Sequence, residues 1–107
     1  MNYDLTVRVL EGMKPGDANL RQQVFRAAIR YANIRVEWLF MTSEERSRVN
    51  TQRTDAHNAF IDAVNALSRS MEQAGQNNGW RRWLGDDRKV IGDFACLLVA
   101  HLGILAR

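Results

Sequence analysis

Apolar residues along this chain recur mostly at spacings of three and four, the signature of amphipathic helix rather than strand. From Ala18 to Met41 the line is Leu20, Val24, Ala27, Tyr31 and Trp38, widened by Phe25, Ala28, Ile34 and Leu39. An apolar face that broad belongs to a central helix with neighbours on several sides. Lys14-Pro15-Gly16 is a turn before it, and Asp17 is placed to cap it. Thr42-Ser43-Glu44-Glu45 has the form of a capping box, in which threonine and glutamate each satisfy a free backbone donor. A third helix therefore starts near Ser43 and runs to Gln73, where Ala74-Gly75-Gln76-Asn77-Asn78-Gly79 stops it. Trp80-Arg81-Arg82-Trp83-Leu84-Gly85 predicts a short helical turn that packs Trp80 or Trp83 on the bundle, and a last helix spans about Asp87 to Ala106. The first twelve residues are ambiguous. Asp4 can cap a short helix ending at Gly12, but the alternation Leu5, Val7, Val9 also fits a strand.

The expectation is an all-α fold, a small antiparallel bundle of four to five helices forming a single domain over residues 1–107. Apolar residues at 46% and charged residues at 25% are the balance of a folded globular chain. The start carries an early acid and no apolar run, so no secretory signal is read there. Phe94 to Ala106, the most apolar stretch, is shorter than the roughly 20 residues a membrane helix needs and contains His101. No membrane association and a cytoplasmic location are therefore expected.

The third helix raises the question of chemistry. Phe60, Val64, Leu67 and Met71 form its buried line, while Asn58, Asp62, Asn65 and Arg69 recur at the same spacing on the other side. That second line is what a surface helix needs for solubility, although two asparagines, mediocre helix formers, leave room for a binding surface. His57 sits at the border and reads as a half-buried histidine bonded to a neighbour, since no nucleophile is guaranteed within its reach. Arg35 is the sharper anomaly, four residues after Tyr31 and three before Trp38 in an apolar stripe. A buried guanidinium needs carboxylates or carbonyls, and the available partners are Asp62, Asp86, Asp87 and Asp93. If so paired, its loss should cost about 3 kcal/mol or more. A site for an anionic ligand at the same arginine is the alternative.

In the last helix Gly92, Cys96, Val99 and Gly103 form a line of mostly small residues that admits a close partner, by default another helix of the chain, otherwise a second copy in a homodimer. Cys96, the one cysteine, reads as a small buried core residue, and His101 as a core histidine bonded to a carbonyl or carboxylate. There is no HExxH, no paired CxxC, no phosphate-cradling glycine loop and no Gly-x-Ser-x-Gly elbow. Neither a catalytic residue, a metal site nor a cofactor is assigned. Thirteen of the 15 basic residues are arginine, but a net charge of +3 is too mild to imply nucleic-acid binding by itself. If nucleic acid is bound at all, the contact runs weakly through Arg81 and Arg82 between Trp80 and Trp83, as a single-strand binder would stack a base and hold phosphates. The competing reading makes both tryptophans apolar plugs at the end of the bundle.

Two stretches, RTDAHNAFIDAVNALSRSM (53–71) and WRRWLGDDRKVIGDFACLLVAHLGILAR (80–107), together resemble a small bacterial family known as a domain of unknown function, associated with gut bacteria and conjugative elements. The shared patterns are Arg-Thr-x-x-His-Asn-x-Phe-Ile-Asp and Gly-Asp-Asp-Arg-Lys-x-Ile-Gly-Asp-Phe, and with IRYANIRVEWLF (29–40) they cover more than half of the chain. The resemblance implies a helical fold and a bacterial or mobile-element origin, and it transfers no catalytic role. It singles out Arg53, His57, Asn58, Asp62, Asp86, Asp87, Arg88 and Asp93, which would form one buried polar network if the third and last helices pack side by side, with Arg35 joining from the second. The function expected is that of a non-enzymatic accessory protein of a mobile element, binding a macromolecule, most simply a protein, to inhibit host defence or to regulate. The alternative is a pocket protein or enzyme for a small anion or nucleotide, built on Arg35, His57, Asp62 and Asp93. A closed, satisfied network favours the first reading and an open cleft the second.

Overall fold

A computed structural model describes residues 1–105, with Ile104 and Leu105 described in backbone only. Its helices are α1 (Tyr3–Met13), α2 (Ala18–Leu39), α3 (Ser43–Gln73), α4 (Trp80–Leu84) and α5 (Arg88–Leu105), and no strand occurs among the described residues. The expected end of the last helix at Ala106 lies outside the described residues.

Local chemistry sets each boundary. The Asp17 carboxylate accepts from the Leu20 amide at the start of α2. The capping box of α3 is complete: Thr42 Oγ1 accepts from the Glu45 amide, and Glu45 Oε1 accepts from the Thr42 amide. The Asp87 carboxylate accepts from the Val90 amide, so Asp87 caps α5 rather than belonging to it. At the N-terminus the helix prevails over the strand alternative. Its cap is Asn2, whose side chain accepts from the Leu5 amide, not Asp4, and the helix continues through Gly12 to Met13. Val9 and Met13, four apart, are fully buried, whereas Val7 is only half-buried; period four, not period two, describes this segment. Gly12 persists inside the helix because a β-carbon there would lie 2.7 Å from Trp80 Cβ.

At 1.5 Å per residue the 31 residues of α3 span about 46 Å, matching the 47 Å long axis of the molecule. α2 folds back along α3 through a short connection, α5 packs antiparallel on α2, and α1 lies against α4 and α5. Between them lies one core in which Phe60 is central, its ring 6.3 Å from Tyr31 and 6.0 Å from Phe94. Trp80 is the plug that closes one end, buried with its indole N–H directed at Met71 Sδ. No described helix is long and apolar enough to cross a membrane.

Candidate functional site

The third helix divides as its two lines of residues imply. Ala56, Phe60, Val64, Leu67 and Met71 are buried, while Asn58, Asp62 and Arg69 are exposed. Asn65, half-buried, has a local duty, accepting from Arg81 Nε at 2.8 Å. His57 is 8% exposed, and its Nδ1 is hydrogen-bonded to the Tyr31 hydroxyl at 3.0 Å, with the rings edge to face. Burial lowers its pKa below the ordinary 6.5, and the nearby charges of Arg88, Arg53 and Arg35 lower it further. His57 is therefore a neutral packing residue at near-neutral pH.

The single polar network expected between α3 and α5 does not form. Asp62 is exposed on the solvent face of α3, Asn58 likewise, Asp86 pairs with Arg81 at 2.8 Å, and Asp87 is the helix cap. What forms instead is a cluster dominated by cations. Arg35 lies flat across Gly92: a β-carbon there would be 2.6 Å from Arg35 Nη1. Its Nη1 donates to Asp93 Oδ1 at 3.2 Å, the one pairing of the four expected that occurs, with Cys96 Sγ 3.9 Å away. The arginine is half-buried rather than buried, its side chain 22% exposed, and Lys89 Nζ donates to the second oxygen of Asp93 at 3.1 Å. Burial pushes the Asp93 carboxyl up, but the hydrogen bonds and charges of Lys89 and Arg35 outweigh it and hold the carboxyl below its usual range.

Arg53 approaches from α3, its guanidinium 4.7 Å from the centre of the Trp38 ring, which Arg46 also approaches at 5.6 Å. The Arg53 Nε is buried and has no hydrogen-bond partner among the described residues. Arg35 and Arg53 together line two adjoining openings. One, of about 270 Å³, is continued by Val36, Leu39, Asp93 and Cys96; the other, of about 290 Å³, by Tyr31, Arg88 and Lys89. Cys96 is thus half-buried at a cleft wall, not within the core, because the α2 residue opposite it is a long arginine rather than a close-packing apolar side chain.

The small-residue line of α5 splits in two. Gly92 takes the default partner, α2, through Arg35, whereas a β-carbon at Gly103 would meet open space. Beside this line runs a feature the core stripe conceals in the sequence. On α2, Phe25, Ile29, Ala32, Val36 and Leu39 recur at spacings of four and three, forming a second apolar line. Ile29, Val36, Leu39 and Phe40 on or next to it are 45%, 52%, 72% and 85% exposed. The sequence signal is Ile29 and Val36, apolar positions outside the core stripe, which continue a line whose ends, Phe25 and Leu39, fall within it.

At the other end, Arg81 is engaged internally: besides Asn65 and Asp86 it donates to the Gly85 carbonyl at 2.7 Å. With Trp80 buried, only Arg82 and Trp83 of the Trp80–Trp83 turn face solvent, and Arg8 lies over the Trp83 ring at 5.3 Å. The four residues do not present one surface, because an Arg81 whose donors are satisfied inside the protein has little left for phosphate. His101 also departs from expectation. It is half-buried and hydrogen-bonded to the Tyr3 hydroxyl at 2.8 Å, since α1 rather than a carboxylate covers it.

Fold and site together define a small all-α bundle with a cationic cleft between α2, α3 and α5 and an exposed apolar ridge along α2. Compared with protein-family models, curated proteins and solved structures, the chain matches none.

Proposed function

We propose that this chain is a binding module, not an enzyme, and that its partner is another protein, which places an acidic amphipathic helix in the groove between α2 and α5. The observation that carries this reading is the second apolar line of α2. Leu39 and Phe40 are two large side chains mostly in water, continuous with Val36 and Ile29. Such a line, at the spacing of a helix seam and with Cys96 of α5 beside Val36 and Leu39, is the surface a partner helix covers. Charge specifies the partner further. α2 carries four arginines and one glutamate, and α5 carries Arg88, Lys89 and Asp93, so the pair has a net charge of +4 against +3 for the entire chain. An acidic partner is steered to that face and a basic one repelled. The resemblance to a family of conjugative elements makes an accessory protein of a mobile element, acting on a host or regulatory protein, the biological setting of this reading.

The test is fluorescence anisotropy with two labelled helical peptides sharing one leucine seam, one with glutamates and one with lysines between the leucines. The acidic peptide should bind, and the double variant Leu39→Glu/Phe40→Glu should lose it while keeping its helical content. Equal binding of both peptides, or an unaffected double variant, overturns the proposal. A homodimer that the double variant dissolves would give the groove to a second copy instead.

A further inference from the structure

We infer that the opening between α2, α3 and α5 is a site for a phosphate-class oxyanion, held by Arg53, Arg35 and Arg88 with Lys89 at its rim. The site stands whether or not a helix docks on α2, because it rests on a different observation, an excess of unmatched cations around one cavity. Four cations line the opening of about 290 Å³, and the nearest carboxylate, Asp93, is shared by Arg35 and Lys89. Among the described residues, neither Arg53 nor Arg88 has a carboxylate within salt-bridge distance.

Arg53 supplies the second strand of evidence. Its guanidinium is fixed against the Trp38 ring and makes no hydrogen bond among the described residues; Nε is covered, so the terminal nitrogens are the donors an oxyanion in the opening would meet. Charge-assisted bonds to an oxyanion are the strongest way to satisfy those open donors. Three arginines rather than lysines suit a multidentate oxyanion, since the planar fork matches the spacing of its oxygens. Burial is the larger cause of the depressed His57 pKa, and the charges that add to it are those of Arg88, Arg53 and Arg35, which places all three near one point. His57 and Asp62 are not part of the site: the first is occupied with Tyr31 and the second is exposed on the solvent face of α3.

Phosphate in such a site comes either from a free molecule or from a phosphorylated side chain of a partner. Thermal unfolding is followed with inorganic phosphate, ATP and a phosphoserine peptide, each against chloride at equal ionic strength. At about ten times its Kd the bound anion should raise the midpoint by about 5 °C or more. Arg88→Gln, at an exposed position, should abolish the rise, and Arg53→Lys, which keeps the charge but loses the fork, should weaken affinity about tenfold. Arg82→Gln, at the far end of the bundle, should behave as wild type. A larger rise with ATP assigns the phosphate to a free nucleotide, and a larger rise with the peptide assigns it to a modified partner; either outcome upholds the site. No rise beyond chloride, or equal rises in wild type and Arg88→Gln, overturns it.

Discussion

Replacing Arg35 by alanine separates two accounts of the same residue. Read from sequence, Arg35 is a buried charge whose removal strands a buried carboxylate, at a cost of about 3 kcal/mol or more. The structure gives a smaller figure. Asp93 keeps its bond to Lys89 at 3.1 Å and is itself 30% exposed, so it is left neither unpaired nor dry. The lost pair, partly exposed at 3.2 Å, is worth about 0.5–1 kcal/mol. The guanidinium lies 6.0 Å from the Tyr31 ring centre, at the outer limit of a useful cation–π contact, adding about 0.5 kcal/mol at most. Loss of the stem packed over Gly92 adds a similar amount. The sum is about 1–2 kcal/mol, and relief of repulsion from Arg53 and Arg88 pulls it toward the lower end. Urea denaturation of Arg35→Ala, Asp93→Ala and the double variant measures both quantities, the total cost and the Arg35–Asp93 coupling of about 0.5–1 kcal/mol. A cost above about 3 kcal/mol for Arg35→Ala, with a coupling of the same size, would refute this partition and restore the buried-charge account.

Two further outcomes follow from packing and titration. The folded-state pKa of His57 lies below its unfolded value of 6.5, so the unfolded chain takes up the proton first. The stability that neutral His57 contributes is complete above that value and is lost as pH falls from it toward the folded pKa, a slope that His57→Gln should flatten in denaturation curves between about pH 7.5 and about pH 5. Gly12→Ala gains about 1 kcal/mol of helix propensity but sets a methyl 2.7 Å from Trp80 Cβ, an atom tied to the α4 backbone, so calorimetry should show net destabilisation of about 1–2 kcal/mol. An unchanged or raised Tm would mean that α1 can withdraw from α4 without cost.

The helices were legible where sequence chemistry is local. Asp17 and the Thr42–Glu45 box act within one turn of the chain, so their bonds form as their spacing implies. The first helix was harder, because Leu5, Val7 and Val9 satisfy two periods at once, and only burial of Val9 and Met13 against α4 and α5 selects one. The site was legible in part. Arg35, Arg53, Arg88 and Asp93 do come to the same two adjoining openings, with Arg35–Asp93 the one bond among them. Asp62, Asn58, Asp86 and Asp87 do not, for reasons that spacing alone cannot weigh: a better local bond for Asp86 and Asp87, and the solvent face of α3 for the other two. The exposed ridge was hidden because Leu39 falls near the edge of the core stripe, and whether an edge residue is covered depends on where α5 comes to rest.

That geometry also explains why a charge cluster persists in so small a protein. Like charges gathered at a half-buried cleft destabilise the fold, and a chain of 107 residues has little stability to spare. Glutamate at position 53 or 88 would relieve the repulsion and satisfy a neighbour in one step. The chain instead holds Arg53 against Trp38, keeps its Nε without an acceptor, and leaves Asp93 to serve two cations. Unmatched charge of this kind is stabilising only when something anionic arrives, whether a phosphate group in the cleft or acidic side chains along α2. In the free protein it is a cost; with the proposed anion or acidic helix bound, the same charges would become the source of affinity.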